Sequence, residues 1–196
     1  MRTYLLLTLA SVSLFLGSSC NRQPEPPKQT EPEYRATGTI KDLMDSMVDP
    51  SADFLWDSVA TTVSAKGIED KAPHTDAEWA EVRRRAITLL EATNLLLMPG
   101  RHVAKPGEKA DDPKVELAPE QIEQLINQDR KIWTDRAHAL HDSAMASLKA
   151  IENKNAEELL NSGDGIDQAC ENCHLVYWYP DEAKKLKDVD KQQQKQ

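Results

Sequence analysis

Between residues 38 and 180, apolar residues recur every three or four positions in four stretches, and almost nothing alternates with the period of a half-buried strand. The first stretch opens at Thr39, with Asp42 three residues on: a capping box with Asp in place of the usual Glu. Ile40, Met44, Met47, Val48, Leu55, Val59 and Val63 mark one face of the helix that follows. Pro50 is expected to interrupt it by removing an amide donor, with Asp49 capping a restarted helix. The second stretch starts at the capping box of Thr75 and Glu78 and carries Trp79, Val82, Ala86, Leu89, Leu90, Thr93 and Leu96 at helical spacing. It stops at Met98, before Pro99 and Gly100. After the loop RHVAKPGEKADDPKVEL, a long third helix is expected from about Pro119 to Glu152, turning Ile122, Leu125, Ile126, Ile132, Trp133, Leu140, Leu148 and Ile151 inward. The fourth, from about Asn155 to Tyr179, is weakened by Gly163 and Gly165 and can be read as one helix or two in sequence.

Four helices of this length with short connections predict an all-α fold, an up-down-up-down antiparallel four-helix bundle. That topology sets the end of the fourth helix beside the start of the first, near the end of the second and the start of the third. Met44 and Met47, residues 94 to 102 and residues 121 to 128 then gather around residues 170 to 178.

The ends of the chain read differently. Residues 1 to 19, MRTYLLLTLASVSLFLGSS, hold one charge, Arg2, then an apolar run from Tyr4 to Leu16, too short to span a bilayer comfortably. Small residues lead into Cys20, as in the bacterial lipoprotein signal, in which that cysteine is acylated and becomes the mature N-terminus. The alternative is an ordinary secreted protein with a free Cys20. Two or more acyl chains would hold the protein on a membrane face. Residues 20 to 37, rich in Pro and polar residues, read as a tether, and residues 181 to 196 as a polar tail too polar to pack. The remaining domain, residues 38 to 180, has the size of one core. The expected location is the bacterial cell envelope, exported and lipid-anchored, facing the periplasm. Net charge is −9, and removing Arg2 with the signal makes it −10. That excludes nucleic acid and charge-driven binding to anionic lipid as partners, leaves the N-terminal lipid as the membrane contact, and suits redox partner proteins with a basic docking face.

The chain has three cysteines, and two of them fall in CENCH, residues 170 to 174. Cysteines three apart on a helix project from one face, and His174 follows directly. That is the spacing of a c-type haem: Cys170 and Cys173 for two thioether bonds, His174 for the iron. By composition the pattern arises by chance in on the order of one chain in a thousand. A zinc site would want two more ligands, and a catalytic dithiol a βαβ context; neither is visible. A lipoprotein whose CENCH carries only a disulfide or a weak metal site stays as the reading from another class.

A signal, one four-helix domain and a single CxxCH near the C-terminus resemble the cytochrome c′ family, the class II c-type cytochromes. The resemblance covers residues 38 to 180, CENCH being its one specific motif. It implies one covalently attached haem c near the C-terminal end of the last helix, and a homodimer occurs in that family. The family often continues CxxCH with two residues, an aromatic, then Arg or Lys; here CENCHLVYWYP puts Tyr177 at the aromatic position and Trp178 at the basic one. Tyr177 and Trp178 are candidates for packing against the haem edge, and helix-end packing explains them equally well. In low-spin members a methionine of the first helix ligates the iron, which implicates Met44, with Met47 one turn on. A filled sixth position suits electron transfer, and an open one suits binding of NO or CO. Met98 and His102 reach the same end of the bundle, and Arg101 is a candidate for pairing with a haem propionate.

Other clusters carry less. His138 and His141 are three apart on the third helix and read as exposed, His74 as a loop residue, and Arg83, Arg84 and Arg85 as solvated surface. No phosphate loop or nucleophilic triad appears, so no enzymatic activity is expected.

Overall fold

The fold begins where the Thr39 side chain closes its capping box. The Asp42 amide donates to Thr39 Oγ1 at 3.0 Å, and the Thr39 amide donates to Asp42 Oδ2 at 3.0 Å. The computed structural model describes residues 34–193, with side chains through Leu186. The expected export signal, Cys20 and the tether as far as residue 33 lie outside the described residues.

Helix α1, Ile40–Leu43, passes without a break into a π-helical segment, Met44–Val48, and then into α2, Asp49–Ser58. The expected interruption at Pro50 does not occur. Asp49 keeps helical dihedrals (φ −61°, ψ −50°), and its amide donates to the Met44 carbonyl, five residues back rather than four. A proline ring clashes with the carbonyl four residues before it, here that of Ser46. The wider π turn just ahead of Pro50 moves those carbonyls aside, so the helix widens instead of ending.

After Val59 the chain turns out of the helix. Strands β1, Ala60–Ser64, and β2, Gly67–Lys71, pair antiparallel from Ala60 opposite Lys71 to Ser64 opposite Gly67. Gly67, at φ +128°, makes the reversal that a side chain would disfavour. Val63, expected to face a core, is 76% exposed on this hairpin, because a period of three or four read through a strand has no meaning.

Helix α3, Asp76–Leu96, starts at the Thr75–Glu78 capping box and buries the stripe from Trp79 to Leu96. The expected third helix is divided. Helix α4, Pro119–Gln128, ends at Asp129, whose φ of −139° breaks the turn and whose carboxylate accepts from the Ile132 amide to start α5, Arg130–Glu152. Ile132, in the first turn after the break, is 41% exposed instead of inward, since the break re-phases the stripe. Helix α6, Ala156–Tyr177, runs unbroken through both glycines. Gly163 is a notch: a Cβ there would lie 2.9 Å from Cδ1 of Trp56, whose Nε1–H donates to the Gly163 carbonyl at 3.3 Å. The tail also forms a helix, α7, Pro180–Gln193, with Lys184–Asp181 and Lys185–Glu182 ion pairs along its first turns. A polar sequence can therefore be helical here without contributing to the core.

The chain is all-α apart from the hairpin. Helix α5 packs on α3 and α6, α2 on α3 and α6, and α4 on α5 and α6. Two apolar clusters result. One gathers Val48, Leu55, Leu89, Leu140, Leu148 and Ile166. The other gathers Ile40, Leu43, Leu96, Val103, Ile122, Ile126, Trp133 and Tyr177. Met44 and Met47 pack against both, while Cys170 packs on the first and Cys173 on the second. The CENCH turn therefore sits on the seam between the clusters, opposite the π segment. No helix of the described residues is long and apolar enough to cross a membrane.

Candidate haem-binding site

Cys170, Cys173 and His174 lie on the last two turns of α6, a helix started by the Asn155 side chain, which accepts from the Glu158 amide at 3.1 Å. Both cysteines are free and half-buried. All three side chains line one cavity of about 350 Å³, whose apolar wall includes Val48, Ala52, Leu96, Trp133, Ala137 and Leu140. A second cavity, about 260 Å³, lies against His174 and is bounded by Lys41, Val103, Leu117, Ile122, Trp178 and Tyr179. Met44, Asp49 and His174 line both.

The electrostatics of the turn are those of uncharged groups. Burial, with the carboxylates of Asp49 and Asp167 adding to it, pushes the Cys170 thiol up to about 11. Burial and the neighbouring Cys170 push Cys173 up to about 12. Burial also lowers the His174 imidazole, against the pull of Glu171, Asp49 and Glu116, so the ring is neutral at pH 7 with a free nitrogen lone pair. Reactive dithiols and thiolate metal sites need the opposite, a thiol pKa drawn down by positive surroundings. Among the described residues no three His, Cys, Asp or Glu side chains converge as a metal-binding group. Two thiols and an imidazole in a row along one helix, half-buried and facing a cavity of ligand size with one apolar wall and a charged rim of Asp49, Asp53, Arg136, Asp167 and Glu171, fit a flat group with an apolar face and a polar edge.

The aromatic residues after His174 hold the end of α6. Tyr177 is 2% exposed and meets Trp133 edge-to-face, with ring centroids 5.2 Å apart. Its hydroxyl has no hydrogen-bond partner among the described residues, and burial pushes it up to about 12. Trp133 Nε1–H donates to the Leu96 carbonyl at 3.1 Å, tying α5 to the end of α3. Trp178 and Tyr179 flank the imidazole, with ring centroids 5.6 and 5.8 Å from it. The Tyr179 hydroxyl donates to Glu171 at 2.7 Å, and the Leu117 amide donates to the Trp178 carbonyl at 2.8 Å.

The remaining candidates stand elsewhere. Met47 packs in the seam but lines neither cavity, and Met98 receives a guanidinium N–H of Arg101 at 3.1 Å. Arg101 also donates to the Leu95 carbonyl at 2.9 Å and to the Gly38 carbonyl, joining the end of α3 to the start of α1. That structural tie accounts for Arg101, which lines neither cavity beside His174. The His102 ring meets Glu123 at 3.0 Å, on another face of the loop. His138 is exposed, and His141 lies 3.6 Å from Asp142. Arg83 pairs with Glu152, while Arg84 and Arg85 share Glu81. Sequence reasoning missed Asp49, read there only as a helix cap, and Arg136. Asp49 is exposed at its outer edge but lines both cavities, and partial desolvation raises its pKa against the opposing influence of His174. Arg136 lines the larger cavity. Neither has a motif; a period count along α5 would have flagged Arg136 only as a polar residue beside the buried Ala137. No protein-family model, curated protein or solved structure matches the chain.

Proposed function

We propose that this chain is a membrane-tethered monohaem c-type cytochrome, a four-helix bundle of the cytochrome c′ kind, acting as a one-electron carrier. One observation carries the reading: Cys170, Cys173, His174 and Met44 line a single cavity with an apolar wall. The two thiols would add across the vinyl groups of a haem, each S–H giving a C–S and a C–H bond with no net oxidation. His174, neutral because buried, would offer its lone pair to the iron of such a group. Met44 lies on the π segment, lines both cavities bounded by His174, and would supply a second iron ligand. A haem so held would supply a one-electron Fe(III)/Fe(II) couple, whose potential a thioether and imidazole ligand pair would raise. The apolar wall of Val48, Ala52, Leu96 and Leu140 would pack against the face of such a group. Burial that raises both thiols weighs against a reactive thiolate pair at this turn. Export, a lipid on Cys20 and redox partners with a basic face complete the proposal.

An absorption spectrum of the matured protein, oxidised and reduced, with and without CO, tests it. A low-spin spectrum indifferent to CO in the wild type, turning high-spin in Met44→Ala, is the expected result. A high-spin spectrum that shifts with CO would replace the carrier by a binder of NO or CO. Absence of covalent haem after expression with a competent maturation system would sink the reading.

A further inference from the structure

Arg136 lies on α5 between Trp133 and Leu140 and, with both, lines the cavity that Cys170, Cys173 and His174 share. It is half-buried, and it is the only Lys or Arg on that wall. Every other described arginine is engaged. Arg83, Arg84 and Arg85 pair with glutamates, Arg101 donates to two carbonyls, Arg130 donates to the Leu97 carbonyl at 3.1 Å, and Arg35 too has a partner. Arg136 makes no hydrogen bond and no ion pair among the described residues. Carboxylates are not lacking: Asp49 and Asp53 of α2 and Asp167 and Glu171 of α6 line the same cavity. None of them comes within ion-pair distance of the guanidinium.

Arg136 stands at the cavity half-buried and without a protein partner among the described residues, and its planar fork of donors matches a carboxylate presented edge-on. The surroundings that leave it unpaired also make this cavity the seat of the haem, whose periphery carries two carboxylates. We propose that Arg136 anchors a haem propionate, adding a polar hold on the macrocycle to the covalent one of the Cys170 and Cys173 thioethers. The proposal rests on the haem reading. It gives α5 a role in orienting the cofactor, where Arg101 is committed to the backbone of the loop.

The test uses the full-length holoprotein, matured with its haem, as wild type, Arg136→Leu and Arg136→Lys. Two quantities are read at one fixed pH: the midpoint potential, and the propionate bending mode in the resonance Raman spectrum. Arg136→Leu is expected to lower the potential, because a positive charge beside the iron is lost, and to shift the propionate mode. Arg136→Lys should keep the potential near that of the wild type while still shifting the mode, since one ammonium cannot reproduce the forked pair. An unmoved propionate mode in Arg136→Leu overturns the anchor, even if the potential falls. If Arg136→Leu yields no holoprotein, Arg136→Lys and Arg136→Gln are read on the same mode, and an unmoved mode in both overturns it equally. Wild-type protein without covalent haem would defeat the haem reading itself, a failure visible before any variant is made.

Discussion

Gly163 and Gly165 lie two residues apart inside α6, yet replacing each by alanine should move stability in opposite directions. In a helix interior, Gly→Ala is worth about 1 kcal/mol through reduced backbone entropy. At Gly165 nothing opposes that gain: an added Cβ would meet Ser143 Oγ at 3.5 Å and its Cβ at 3.7 Å, ordinary contacts. Gly165→Ala should therefore stabilise by about 0.5–1 kcal/mol. At Gly163 the Cβ would fall 2.9 Å from Trp56 Cδ1 and 3.1 Å from Nε1, so the indole must move and its bond to the Gly163 carbonyl is lost. That hydrogen bond is worth about 1 kcal/mol and overpacking costs about 1–3 kcal/mol. Trp56 is 36% exposed and can swing outward, which puts the repacking near the lower end. The net expectation for Gly163→Ala is a destabilisation of about 1–2 kcal/mol after the propensity gain is subtracted. Chemical denaturation at constant slope reads both, with Tm moving about 2–4 °C for each kcal/mol in a chain of this size. Equal stabilisation by both alanines would refute the reasoning, because Trp56 could not then lie against residue 163. Trp56 also lines the cavity shared by Cys170, Cys173 and His174, so in the proposed holoprotein the same variant should shift the haem absorption spectrum.

Two further outcomes concern charge. In the folded haem-free protein, alkylation of Cys170 by iodoacetamide at pH 8 should be on the order of a hundred times slower than in denaturant, since a thiol raised from 9.0 to about 11 has roughly a hundredth of the thiolate. Equal rates in the two states would mean that the turn is not buried as described. The Asp42 carboxyl is drawn down to about 2, chiefly by the Lys105 ammonium at 2.7 Å and then by the Thr39 amide. Its folded pKa is the lower one, so the stability it contributes is present above 3.8 and is lost as pH falls from 3.8 toward about 2. Lys105→Met should flatten that part of the stability–pH profile, which acid titration of the denaturation midpoint would show; an unchanged slope would place Asp42 outside the pair.

Much of the helical framework was legible because its signals are local. The Thr39 and Thr75 boxes are made within four residues, and Pro119 opens a helix at the position its missing amide favours. The break at Asp129 escaped the pattern because Ile126 and Trp133, seven apart, keep the same face across it. Pro50 was misread for the opposite reason: its intrinsic tendency is to end a helix, and the π segment beside a core seam overrode it. At Gly163, where one helix or two were open, the helix runs on with the Trp56 indole against the glycine. The hairpin was hidden because Val59 and Val63 happen to continue a helical spacing through a strand with almost no burial.

The sequence by itself determined the chemistry on offer. Two thiols and an imidazole within five residues of one helix lie on adjacent turns whatever the rest of the chain does, since helical geometry is set by backbone sterics. Only the tertiary structure decided which distant groups meet them. Met44 lines both cavities that His174 lines and Met47 lines neither, on a first helix that passes through a π turn at Met44–Val48. Arg136, with no motif around it, reaches the cavity because α5 packs along α6, while Arg101 is held at the loop by two carbonyls. The protonation of the thiols is likewise a property of the packed state, for desolvation exists only once the two clusters close over the turn.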